Sequence, residues 1–352
     1  MKLINPVSIV RILSSILLIE AASFLACIPV SVIYREPIMP FLVSSLVTGL
    51  LAGLMRLISR NYSKDNISNR DTFLIVTASW ALISLLGSLP YLISGTISSP
   101  LNAIFESASG FSTTGASILT EVESLPFSIL FWRSLTHWIG GIGIIVLVIL
   151  VLPTLKITGY QLFSLESSVK EKIHPRTKGV VNRILLIYLG LTAAEILFLS
   201  LGDMNLFDSI CHSFGTVATG GFSTRNTSIA GYSPYTQYVI AVFMFLAAVS
   251  YVIYYHLISG NFHKILKNDE LWFYLFMVTA SVCFVTLILL SGTDRNLELS
   301  FRDSFFQVAS QISCTGFATT DYMNFPPLGW YFMFLIMFFG GSTGSTTGGI
   351  KM

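Results

Sequence analysis

Three short loops rich in threonine, serine and glycine recur in this chain: Ser112-Thr113-Thr114-Gly115, Ala218-Thr219-Gly220-Gly221 and Ser313-Cys314-Thr315-Gly316. No nucleophile with a base beside it, no metal cluster and no phosphate cradle can be read in the sequence, so the chain does not read as an enzyme. What the loops offer is backbone. A dehydrated alkali cation needs oxygens to replace its water, and carbonyls on a glycine-permissive loop supply them. The pattern reads as an ion filter in which Thr113, Thr114, Gly115, Thr219, Gly220, Gly221, Cys314, Thr315 and Gly316 present carbonyls. The competing reading is that these small residues let helices pack. Such packing motifs sit within helices, not at polar loop tips.

The elements that must position these loops also repeat. The three glycines are 106 and 95 residues apart. Thirteen residues before them stand Asn102, Asp208 and Asp303, and nine before them the polar Glu106, His212 and Gln307. An Asn or Asp at the former position predicts a helix N-cap. The segment behind it is about ten residues long, too short to span a bilayer. Its C-terminal dipole end would face the loop and favour a cation. The repeating unit is helix, pore helix, loop, helix.

Composition places this machinery in a membrane. The chain has 352 residues, 53% hydrophobic and 11% charged, and a mean hydropathy of +0.74. Eight apolar runs long enough to span are expected near 8–33, 38–58, 72–95, 127–152, 181–201, 235–259, 270–291 and 327–352. The first is too long for a signal-peptide core and reads as a retained helix. With the N-terminus inside and strict alternation, only Arg35, Arg133, Arg225, Arg295 and Arg302 of the 20 Lys and Arg residues fall outside. The positive-inside rule selects that topology. All three glycine loops then lie on the outer side, each between helices roughly 25 to 40 residues apart, more than a turn needs. Acids such as Glu121, Glu123, Asp203, Asp208 and Asp303 lie on the same side, where they would gather cations or where basic residues are merely scarce. A net charge of +2 sorted in this way gives no sign of a nucleic-acid partner.

Other motifs admit two readings. Phe131-Trp132-Arg133 and Thr136-His137-Trp138-Ile139-Gly140-Gly141 open the helix after the first loop. The aromatics suit an interface, the glycines close packing, and His137 a packing role before a functional one. The run Gly340-Gly341-Ser342-Thr343-Gly344-Ser345-Thr346-Thr347-Gly348-Gly349 interrupts the last apolar segment and reads as a flexible gate lining a cavity, or else as a disordered end. Glu20 and Glu195, inside apolar spans, are functional acids or partners of a neighbouring hydroxyl. Cys27, Cys211, Cys283 and Cys314 have neither metal spacing nor a disulfide framework.

These motifs together resemble the Trk/Ktr/HKT superfamily of potassium transporters, and the bacterial Trk branch most closely. The carrying segments are Ser107–Ala116, Phe131–Gly141, Ala218–Thr224, Thr315–Thr319 and Gly340–Lys351. The resemblance implies an all-α polytopic membrane protein with helix–pore-helix–helix repeats around a pseudo-fourfold pore. Three repeats are present, at 70–157, 158–265 and 266–352, after an N-terminal transmembrane hairpin at 1–69. It implies potassium uptake across the cytoplasmic (inner) membrane, with potassium as substrate and no bound cofactor. Gly115 at the first filter position implies potassium over sodium, and Gly340, Gly341, Ser342, Thr343, Gly344, Ser345, Gly348 and Gly349 a gating loop. It further implies a homodimer and a cytosolic nucleotide-binding regulatory subunit. The fourth repeat is expected beyond Met352 in a longer product. The alternatives are a non-conducting interaction subunit of a potassium transport complex and a sodium-permeable member of the superfamily.

Overall fold

Caps and prolines set the helix starts. The computed structural model describes residues 5–60, 68–151 and 174–351, all-helical apart from irregular loops and one isolated bridge, between Phe339 and Ile350. The charged segment before residue 174 and Lys2, Lys64, Lys156, Lys170 and Lys172 lie outside the described residues. The chain divides into two compact units, Met1–Thr136 and His137–Met352.

In the first unit, α1 (Pro6–Ile33) opens on Pro6, with the Asn5 side chain accepting the Ser8 N–H at 3.3 Å. It packs against α2 (Met39–Ile58) around Leu17 and Ala52, and the Ser45 hydroxyl donates to the Ala21 carbonyl. A capping box of Ser68 and Asp71 starts α3 (Asn69–Leu86). Asp71 also accepts the Asn5 N–H at 3.0 Å, so one carboxylate fixes the starts of two helices. After Gly87 and Ser88 the helical path resumes as α4 (Leu89–Ile93). The short α5 (Pro100–Phe111) follows, then the start of α6 (Phe127–Val151), whose first two N–H groups are capped by the Glu36 carboxylate. Trp132 on α6 is fully buried; its indole N–H donates to the Gly87 carbonyl at 3.0 Å, and its ring meets Phe24 and Phe111. A Cβ on Gly87 would lie 2.5 Å from the Phe111 ring, so the end of α5 is seated directly on that glycine.

In the second unit, α7 (His174–Ser200) precedes the short α8 (Leu206–Val217). Ser233 and Pro234 start α9 (Pro234–Ala247), which breaks and resumes as α10 (Tyr251–Ile258). The small α11 (Phe262–Leu266) leads to α12 (Asp269–Gly292), α13 (Leu297–Ile312) and α14 (Pro327–Ile336). Val278, Val282, Val285 and Leu289 of α12 pack on Val308 and Ile312 of α13 and Met333 of α14. Ile240 and Met244 of α9 meet Phe306 and Ala309 of α13.

Among the described residues, five helical stretches are long and apolar enough to cross a membrane: Pro6–Ile33, Met39–Ile58, Arg70–Ile93, Asn182–Ser200 and Asp269–Gly292. Helix α6 occupies the expected run at 127–152. Two of the eight expected spans need correction. The run at 235–259 is not one helix, because α9 and α10 are bent by 93° at residues 248–250. The run at 327–352 is not one helix either: α14 ends at Ile336, and the residues that follow fold back on themselves.

Candidate functional site

The three glycine loops share one backbone. Thr113, Thr219 and Cys314 have φ of 55°, 55° and 57°, and Gly115, Gly221 and Gly316 have φ of 74°, 81° and 81°. The residue between each pair, Thr114, Gly220 or Thr315, does not enter the left-handed region. A β-branched residue at positive φ is a genuine outlier, and such strain persists only where the surroundings over-determine it. The end of the short helix before each loop supplies part of that constraint. The N–H groups of Thr114, Gly220 and Thr315 return to the carbonyls of Ser109, Gly215 and Ser310 at 3.0, 2.8 and 3.0 Å. These bonds turn each loop back on the helix that precedes it.

The loops differ in side-chain support. Hydroxyl pairs brace the first and third: Ser112 with Thr114 at 2.8 Å, and Ser313 with Thr315 at 2.7 Å. The second loop has Ala218 and Gly220 at those positions, and the His137 ring fills the space. A Cβ on Gly220 would lie 2.5 Å from that ring, which stacks on Phe222 at 4.1 Å. His137 therefore packs against the second loop.

The capping expectation is overturned. Asn102 and Asp208 sit at the third position of their helices, and Asp303 is in the middle of α13. The true caps are Asn205 and Asn296, whose side chains accept the Asp208 and Leu299 N–H groups at 2.8 Å each; α5 starts at Ser99 and Pro100 without a side-chain cap. The two aspartates do other work. Asp208 accepts from Thr224, Tyr232 and Arg225, and Asp303 from Arg295 and Thr319.

Within the second unit, the stretch after α14 closes on itself. The Gly340 N–H donates to the Ile350 carbonyl at 2.8 Å, and Ile350 N–H to Phe338 at 3.0 Å. The loop between is largely buried and partly bonded to itself: Ser345 pairs with Thr347, and Thr347 accepts the Gly341 N–H. It plugs the break between α9 and α10. Ser342 N–H donates to the Ala248 carbonyl at 2.9 Å, and Tyr251 N–H to the Gly344 carbonyl at 3.3 Å. The Thr346 hydroxyl reaches the carbonyl of Val217, the last residue of α8. A Cβ on Gly348 would lie 3.9 Å from Cys314 Sγ in the third glycine loop. Glu270 at the start of α12 accepts the Thr343 N–H, and the Lys351 ammonium donates to Thr347. The α9/α10 break and the Glu270 contact are invisible in the sequence, because Ala248-Val249-Ser250 carries neither proline nor glycine.

The remaining candidates are buried. Glu20 is packed within the first unit, with no hydrogen bond from a described residue to its carboxylate. Glu195 is fully buried beside Thr216 of α8. Among the described residues no three His, Cys, Asp or Glu side chains are grouped to hold a metal ion.

With this geometry in view, the likenesses to known proteins are informative. The family model described as "TrkH: Cation transport protein" matches residues 42–352. The chain is 33% identical over 352 residues to the Trk system potassium uptake protein TrkH of Escherichia coli (strain K12), covering 98% of this chain and 73% of that one. It is 36% identical over 291 residues to the Trk system potassium uptake protein TrkG of the same strain, covering 81% and 60%. The crystal structure of the potassium transporter TrkH from Vibrio parahaemolyticus superposes with a TM-score of 0.90 at 32% identity, over 99% of this chain and 73% of that one.

Proposed function

The chain belongs to the TrkH family of cation transport proteins, and on that premise we propose that it carries potassium inward across the cytoplasmic membrane through the carbonyls of its three glycine loops. The observation that carries the reading is the shared backbone, left-handed at Thr113 and Gly115, at Thr219 and Gly221, and at Cys314 and Gly316. Left-handed residues alternating with others turn successive carbonyls toward one side. A row of carbonyls can replace an ion's hydration shell without a fixed charge that would hold it too tightly. The C-termini of α5, α8 and α13 point their negative dipole ends at the same loops.

In this reading the repeats are residues 70–157, 158–265 and 266–352, after a hairpin at 1–69, with the N-terminus cytoplasmic. The Gly340–Gly349 loop is the gate. Its seat between α9 and α10, near Val217 and Cys314, would put it on the inner side of the conduction path. The same reading includes a homodimer and a cytosolic nucleotide-binding regulator, both of which rest on the family resemblance.

Expression of the intact protein in cells that lack potassium uptake tests the function. Growth on low potassium and rubidium-86 uptake above the vector control are expected. Correctly inserted protein with neither would overturn the proposal.

A further inference from the structure

The limb that leaves each glycine runs back along its own pore helix, and there it meets a buried polar side chain. In the first repeat Glu106, fully buried, accepts from the Ser117 hydroxyl at 3.0 Å and the Ile118 N–H at 3.2 Å. Arg133 Nε donates to the same carboxylate at 2.9 Å, and Arg133 Nη2 also reaches Ser117. In the second repeat His212, fully buried, has Nδ1 2.8 Å from the Asp208 carbonyl and Nε2 2.9 Å from the Ser223 hydroxyl. A carbonyl only accepts, so Nδ1 carries the proton and the neutral ring's Nε2 accepts from Ser223. The Arg225 N–H in turn donates to Ser223 at 3.0 Å, which fixes that hydroxyl within the limb. In the third repeat Gln307, 1% exposed, donates to the Thr320 carbonyl at 2.9 Å.

We propose that Glu106, His212 and Gln307 are positioning residues for ion selectivity, each a strut that holds the outer limb of its glycine loop at a set distance from the pore helix. The proposal rests on the filter reading above. A carboxylate, an imidazole and an amide are chemically unlike. What they share is place, nine residues before the glycine, and target, the limb two to four residues after it. Buried polar groups must find some partner, but nothing in that requirement sends three different groups to the same limb. Holding two left-handed residues per loop requires an over-determined surround. The hydroxyl pairs and His137 brace the inner limb, and the struts brace the outer one. A loop released on that limb would relax its carbonyl spacing and so favour ions of another radius.

The test uses the neutral second strut in the intact protein. His212→Leu removes the polar tip, Ser223→Ala removes its partner from the limb side with almost no change in volume, and the double variant closes a cycle. Rubidium uptake with competing sodium is read beside thermal unfolding of the purified protein. Each single variant should lower discrimination against sodium by roughly five- to tenfold, the factor for one net hydrogen bond. The double variant should lower it no further, and His212→Gln should restore it. If His212→Leu misfolds, Ser223→Ala decides alone. Ser223→Ala with wild-type discrimination overturns the proposal, as does a double variant whose losses add. Gly316→Ser separates this from failure of the filter itself: discrimination changed there but unchanged in Ser223→Ala removes only the struts.

Discussion

A Cβ added to Gly221 would lie 1.9 Å from the carbonyl oxygen of Thr315. The main chains of the second and third glycine loops therefore meet at this point, and a side chain at residue 221 would force the backbone to shift. Two segments about a hundred residues apart in sequence meet where a shared set of carbonyls would be needed.

The two glycines of that unit should respond differently to alanine. Both adopt positive φ, which costs an L-residue about 1–2 kcal/mol. Gly221→Ala adds the overlap with Thr315, whereas no described atom lies within 4 Å of a Cβ on Gly316. Thermal unfolding should show Gly221→Ala clearly less stable than Gly316→Ala. Equal melting temperatures would argue against the contact.

The seat of the Gly340–Gly349 loop predicts a gain of flux. A Cβ on Gly341 would lie 2.5 Å from the Ala248 carbonyl oxygen, and the Thr343 N–H depends on Glu270. Gly341→Val should keep the loop from seating, and Glu270→Gln should weaken its anchor. Both variants should raise basal rubidium uptake without loss of expression. Wild-type or lower uptake in both would remove the gating role.

In the first unit, Trp132→Phe retains most of the buried ring but leaves the Gly87 carbonyl without its donor. A buried acceptor left unsatisfied costs about 1–3 kcal/mol. The melting temperature should fall accordingly, and an unchanged value would mean the indole N–H contributes nothing net.

Asp203, in the connection between α7 and α8, accepts from the Ser233 N–H at 2.8 Å and from the Ser233 and Thr236 hydroxyls at 2.6 Å each. Partial burial alone would raise its pKa; the Ser233 and Thr236 hydrogen bonds outweigh it and hold the carboxyl below its ordinary value. A lowered folded pKa stabilises above the unfolded pKa and is lost as pH falls through the folded one. Asp203→Asn should therefore lower thermal stability at neutral pH, with the difference shrinking below about pH 4. A difference independent of pH would refute the linkage.

The helices were legible because apolar runs and their breakers are local properties of the chain. Met39–Ile58 and Asp269–Gly292 fall within two residues of expectation for that reason. The three loops were legible because short runs of small polar residues recur before Gly115, Gly221 and Gly316. The caps were misplaced by three residues at α8, since Asn205 and Asp208 are both good capping types and only geometry chooses between them. The break between α9 and α10 was hidden because the Gly340–Gly349 loop that bonds into it lies some ninety residues away in sequence. The partners of Glu106 and His212 were hidden likewise. Sequence showed polar residues at a repeated position, but only the fold brings the returning limb against them.

The most direct test of the filter is the sodium-to-rubidium flux ratio of Gly115→Ser in the intact protein, measured beside wild type. A filter built on Gly115, Gly221 and Gly316 predicts a ratio that rises while rubidium uptake remains measurable. An unchanged ratio, in protein inserted and folded at the wild-type level, would contradict the assignment of these loops.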